Sequence, residues 1–300
     1  MMAPRLRTNT FALRAGCAAL GLACSHCPPP ETHDLLYEPV PLEAHQVKIA
    51  ADADGDAKNP AHVAVFLQRG TLEMKGGAGH TLEGTATGAT GDAPPRLELM
   101  QDRVALTQST LGGTPPRGDA KFVLALGDTP MSLEVETRAG EPQTLDLGGV
   151  PLAKAHLHTE TGHLTVDWTQ PNPLPGGTLA LDTEAGYIEV GHVARSGASS
   201  VDVSIDAGFV SLDLGDLSGA PATSPGVAIR GTVATGTLVV LTAKAVPALA
   251  TVTGPEGTVV LKGWRPGDAA GTFACGAPGA SPKVTVRVTA KSGHVELKAN

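Results

Sequence analysis

The fourteen residues Ala155–Trp168, AHLHTETGHLTVDW, crowd His156, His158 and His163 together with Glu160 and Asp167. Imidazoles and carboxylates at this density could bind zinc or run acid–base chemistry. The ligand spacings that mark zinc sites are missing here, so histidines facing solvent or a partner are the stronger reading. A second acidic cluster, DADGDAKNPAHV, sets Asp52, Asp54 and Asp56 at the first three ligand positions of a calcium loop. Ala57 and Val63 stand where such a loop needs Gly and Glu, so an acidic surface turn is expected. Further carboxylates at Asp182, Glu184, Glu189, Asp202, Asp206 and Asp213 raise the possibility of a polysaccharide-cleaving enzyme. Acidic residues are also the ordinary covering of a solvated strand face. Few cations accompany them, and Lys121, Arg138, Lys154, Arg195 and Arg230 read as scattered solubilising charges. The candidate aromatic platforms in the later units are Trp168, Tyr187, Phe209 and Trp264. There is no Gly-x-Ser-x-Gly elbow, phosphate loop or His-Glu-x-x-His, and GGAGHTLEG (residues 76–84) precedes no helical pattern. The expectation is a protein without catalytic residues or cofactor.

The elements that carry these residues are strands. From about residue 61 the apolar pattern has a period of two, broken at glycines that recur every 21 to 36 residues: Gly140, Gly162, Gly186, Gly208, Gly236, Gly257 and Gly293. Each glycine is expected to supply the positive φ of a corner between two strands. Side chains alternate faces along a strand, so Val201, Val203, Ile205, Val210, Leu212 and Leu214 point inward in one unit. The same parity sends Leu157, Leu164, Val166 and Trp168 inward, and His156, His158, Glu160, His163 and Asp167 outward. If Thr161–Gly162 is a two-residue turn, Glu160 opposes His163 and His156 opposes Asp167. Parity leaves open whether the corner is a hairpin in one sheet or an arch between two. Recurring units that cannot bury a face alone indicate a stack.

Composition agrees. The chain of 300 residues contains 37 Gly and 24 Pro, and aromatics are only 3%, so the core must be aliphatic. A net charge of −8 without basic runs excludes nucleic acid and disfavours an anionic membrane surface. Arg5, Arg7 and Arg14 followed by AGCAALGLAC read as an export leader too short to span a bilayer. GLAC resembles a lipobox, which would make Cys24 a lipidation site; cleavage without lipidation is the alternative, and both export the protein. Cys275 is read as a free thiol, with a Cys27–Cys275 disulfide as the alternative. The organisation expected is a leader over 1–27, a Pro-rich tether and entry segment over 28–60, and a β-repeat domain over 61–300. That domain divides into 61–120, 121–264, and a loop with a final strand over 265–300.

Between Arg69 and Gln108, RGTLEMKGGAGHTLEGTATGATGDAPPRLELMQDRVALTQ resembles the N-terminal module of bacterial toast-rack proteins and the related putative-adhesin β-solenoid family. GHLTV, GYIEV and GFVSLDL resemble its repeated strands, and ATGTLVVLTAKAVPALATVTGPEGTVVLKGW resembles its terminal pair. The resemblance covers about residues 63–264. It implies an exported or membrane-attached protein and gives no catalytic residue to carry over; family members that act as membrane-bound signalling partners have transmembrane helices, which this sequence lacks.

The expectation is therefore an all-β, elongated stack of strand–turn–strand repeats, a β-solenoid or toast-rack-like form. Its function is expected to be that of a non-enzymatic exported envelope protein presenting a polar β face, held to the membrane only through a lipid anchor if at all. Alternatives are a carbohydrate-binding adhesin-like module and a polysaccharide-cleaving enzyme, and the partner is an envelope protein or a cell-surface polysaccharide. The candidate surface is His156, His158, Glu160, His163, Asp167, Tyr187, Glu189 and Phe209. Phe209, apolar yet outward among aspartates, either marks a contact or packs under a loop.

Overall fold

The computed structural model describes residues 32–33, 46–88, 95–108, 120–139, 142–215, 217 and 226–300. The leader with Cys24, the Cys17 and Cys27 thiols, most of the tether and the corner at Gly140 lie outside the described residues.

Each apolar face created by the period-two pattern is buried by an arch. The chain runs along one strand, turns a corner, and returns in a second sheet facing the first. Among the described residues eight such arches are formed: 61–76, 131–146, 152–167, 177–190, 198–213, 227–242, 248–262 and 284–299. In every arch the first strand joins a 13-stranded sheet and the second an 11-stranded sheet. Successive arches pair in parallel and in register, as in Leu157↔Leu181 and Val166↔Val190. The structure is thus an all-β solenoid of stacked rungs, as the recurrence of the units indicates.

The core is a set of aliphatic ladders between the sheets. Leu164, Ile188, Val210, Leu238 and Val295 stack in one line on five rungs, all fully buried. Trp168 is inward as parity requires. The arch also corrects one pairing. Thr161–Gly162 does not close a hairpin, because Leu152–Thr159 and His163–Asp167 belong to different sheets. Glu160 therefore does not oppose His163, nor His156 Asp167; their neighbours come from adjacent rungs.

The glycines serve a different purpose from the one their spacing suggests. Of Gly162, Gly186, Gly208, Gly236, Gly257 and Gly293, only Gly257 has a left-handed φ, at +82°. At Gly186, Gly208, Gly236 and Gly293 the neighbouring rung is too close for a side chain. A Cβ on Gly186 would lie 2.6 Å from Gly162 O, on Gly208 2.3 Å from Gly186 O, and on Gly236 2.1 Å from Gly208 O. Those same carbonyls accept rung-to-rung bonds from the N–H groups of Tyr187, Phe209 and Thr237 at 2.9–3.0 Å. Buried Thr159 and Thr183 complete the corner by accepting from Gly162 N–H and Gly186 N–H through Oγ1.

Both ends of the stack depart from simple succession. The 61–76 arch sits directly against the 131–146 arch, and the strands Leu82–Gly88, Pro95–Met100, Arg103–Gln108 and Ala120–Leu126 lie beyond it, largely antiparallel to one another. At the other end, the last arch, 284–299, inserts between 227–242 and 248–262. The 265–300 segment thus holds more than a loop and one strand: a short antiparallel pair, Arg265–Pro266 with Thr272–Cys275, and then a complete rung. Cys275 is a buried free thiol. Antiparallel or irregular ends blunt edges that would otherwise recruit further strands.

Gly208→Ala forces its Cβ onto the backbone of the adjacent rung and is expected to cost about 3 kcal/mol. Gly257→Ala has open space at its Cβ and only the left-handed φ to strain, an expected cost of about 1–2 kcal/mol. Urea denaturation of the two variants checks the order; a larger loss for Gly257→Ala would contradict the close-contact role.

Candidate functional site

Parity puts all eight candidate residues on outer surfaces, but the arch divides them between two. His156, His158 and Glu160 belong to the 13-stranded sheet and its corner, whereas His163, Asp167, Tyr187, Glu189 and Phe209 lie on the 11-stranded sheet. With the core between the sheets, these surfaces face opposite ways. The single polar face expected from the sequence is two faces.

On the 11-stranded sheet, His163, Tyr187 and Phe209 occupy one column of the parallel register. Their rings follow one another at centroid distances of 6.1 and 5.9 Å, tilted by 59° and 38°. Tyr187 is 54% exposed and Phe209 is half-buried against it, so Phe209 packs on a neighbouring ring and not under a loop. Glu189 borders the column with its carboxylate 3.6 Å from His163 Nε2, outside hydrogen-bond reach. Asp167 is committed: Oδ1 accepts from Trp168 N–H and meets His192 Nδ1 at 2.7 Å. His192 takes a left-handed φ of +49°, the only non-glycine to do so among the described residues. It caps the 3-10 turn Val193–Ser196. Sequence pattern gave no sign of His192, since its role depends on a neighbouring rung.

On the 13-stranded sheet the outward columns are charged. His156 Nε2 lies 2.7 Å from Asp182 Oδ2, and Nδ1 lies 3.7 Å from Glu134 Oε1. Arg138 Nε reaches Glu160 at 3.0 Å and Glu136 at 3.6 Å. His158, Glu160 and Glu184 bring one potential ligand atom each within 4.8 Å of one another, the only such group among the described residues. Arg138 already occupies the Glu160 carboxylate there, which disfavours a cation. The earlier candidates do not converge in this way. Asp52 holds His80 Nδ1 at 2.8 Å and Thr81 N–H, and Asp56 accepts from Lys58 and Asn59 N–H. They form an acidic turn.

One of the cations expected to be scattered, Arg230, is in fact juxtaposed with a second arginine. Arg230 and Arg287 are direct register partners on adjacent parallel strands, both exposed on the outer face. They line a groove of about 460 Å³ shared with Asp182 and Asp202. Arg287 escaped sequence reasoning because it sits on the inserted last rung. Among the described residues no helix is long and apolar enough to cross a membrane.

The Asp182 hydrogen bond holds the pKa of His156 above its ordinary 6.5; partial burial opposes this, and the charges of Asp182, Glu134 and Glu136 add to it. A raised folded-state pKa stabilises fully below the unfolded value and is lost as pH rises through the folded one. His156→Gln is therefore expected to lose less stability than wild type between about pH 6 and pH 8. His80, raised by Asp52, contributes the same sign and remains in both proteins. An NMR titration placing the His156 imidazole below its ordinary value would contradict the assignment.

No family model matches the chain, and no curated protein does. Solved structures with similarity to it include a putative adhesin from Parabacteroides merdae ATCC 43184, 12% identical, covering 86% of this chain and 97% of that one, with a TM-score of 0.44. A putative adhesin from Bacteroides fragilis NCTC 9343 is 10% identical over 85% and 97% of the two chains, with a TM-score of 0.41. A putative cell adhesion protein from Clostridium sporogenes ATCC 15579 is 9% identical over 86% and 99%, with a TM-score of 0.38.

Proposed function

We propose that the protein is a non-enzymatic, exported surface protein that binds an extended polysaccharide along the outer face of the 11-stranded sheet. The leader motif supports export, with Cys24 lipidation or leader cleavage fixing whether it stays anchored. One observation carries the binding reading. Tyr187 stands 54% exposed on a flat sheet, in register with Phe209 and His163 on the adjoining rungs. Exposed ring faces suit the C–H faces of sugars, and a column repeating at the strand spacing of about 4.8 Å presents them along a line. Glu189, beside the column, is an acceptor for sugar hydroxyls.

The arrangement of the carboxylates supports binding over cleavage. Glycosidase action needs one free acid and one free base facing the same bond. Asp182 is tied to His156, and Asp167 to His192 and Trp168 N–H. Glu189 and Asp213 lie on the sheet opposite Asp182 and Asp202.

Affinity electrophoresis of the full chain through gels cast with neutral mannan or xyloglucan tests the proposal. The protein is expected to be retarded by one of them, and Tyr187→Ala to weaken retention about three- to tenfold at unchanged melting temperature. Absence of retardation, or retention that survives Tyr187→Ala, would overturn the proposal. Saturable capture of an envelope protein through Tyr187 would replace it with a protein-partner role.

A further inference from the structure

The groove on the opposite face has a chemistry of its own. Arg230 and Arg287 face each other across a parallel pair, where strands lie about 4.8 Å apart. Like charges directly opposite on neighbouring strands are destabilising. No direct contact engages them: among the described residues neither guanidinium has a hydrogen bond or an ion pair. Asp202 is the register partner of Arg230, yet it forms no ion pair with it and instead accepts from Ser200 Oγ at 3.3 Å. In the same outward column the small side chain of Ala180 separates His156 from Asp202, opening the groove between them.

We propose that this groove is a second binding site, for a uronic acid residue of an acidic polysaccharide. Arg230 and Arg287 grip the sugar carboxylate, and Asp202 accepts hydrogen bonds from its hydroxyls. Two guanidiniums offer paired, charge-assisted donors matched to one carboxylate. Asp182 uses Oδ2 to hold His156, leaving Oδ1 for a second hydroxyl. The aspartates also select against other anions. Phosphate, carrying more charge and no hydroxyl array, meets Asp182 and Asp202 as repulsion. A glutamate side chain would satisfy the arginines but leave the two acceptors unused. A uronate carries one negative charge flanked by hydroxyl donors, which matches both halves of the groove. The site is independent of the aromatic column, which lies on the other sheet.

The test is calorimetric and NMR titration of the full chain with trigalacturonate, with pentaglutamate and inorganic phosphate as competing anions. Saturable binding of trigalacturonate is expected, at least tenfold tighter than either anion. Arg230→Gln and Arg287→Gln are each expected to weaken it about tenfold or more. Because each change removes a like-charge contact, the melting temperature should hold or rise. Asp202→Ala separates the proposal from simple anion attraction: the uronate should bind several-fold more weakly, whereas a bare anion would bind more tightly. Tyr187→Ala should leave this binding unchanged, so the two surfaces fail or stand separately. Equal affinity for pentaglutamate or phosphate, tighter uronate binding by Asp202→Ala, or no saturable binding would overturn the assignment.

Discussion

The hydrogen bond from one rung to the next at the corner is the constraint on which the molecule depends. At Gly186, Gly208 and Gly236 the preceding rung's carbonyl oxygen lies where a Cβ would project, and that oxygen accepts the N–H of the following residue. A side chain there would push the rungs apart at the one place where the chain leaves one sheet for the other. With the corners in contact, both sheets inherit the same spacing and the same register. The buried ladder of Leu164, Ile188, Val210, Leu238 and Val295 is a result of that alignment.

Register has the same consequence outside as inside. Parallel, in-phase rungs turn each outward position into a column, so that residues two dozen positions apart in the chain become nearest neighbours. His156 meets Asp182 diagonally across adjacent rungs, and Tyr187 stacks between His163 and Phe209 in one column. One face thereby gathers a column of rings beside carboxylates such as Glu189, and the other gathers the His156–Asp182 pair and the two guanidiniums of Arg230 and Arg287. The polar dressing of a repeat protein becomes two surfaces of different chemistry without any loop being built for the purpose.

Much of this was legible in the sequence. Alternation identified the inward side chains, and the recurring glycines marked the corners. The direction of the corner was not legible, because a hairpin and an arch obey the same parity; only the pairing of Leu157 with Leu181 distinguishes them. The reason for the glycines was misleading for a related cause, since a residue needed for φ and one needed for close approach are identical in sequence. Phe209 looked anomalous as a single residue and ordinary as a member of a column. Arg230 and Arg287 could not be connected at all, since their contact depends on a last rung that is out of sequence order.

That out-of-order rung bears on how the chain becomes a finished molecule. The 227–242 and 248–262 arches are consecutive in the chain yet never touch through their ladders, because 284–299 lies between them in both sheets. During synthesis from the N-terminus, the growing stack therefore ends at 227–242 with its backbone donors and acceptors unpaired. The next arch to emerge has to wait, or dock wrongly against that edge. Only once residues 284–299 have emerged can their rung enter and the 248–262 arch settle behind it. Closure of this end of the stack is thus tied to residues 284–299, and a chain without them keeps an open, strand-recruiting edge.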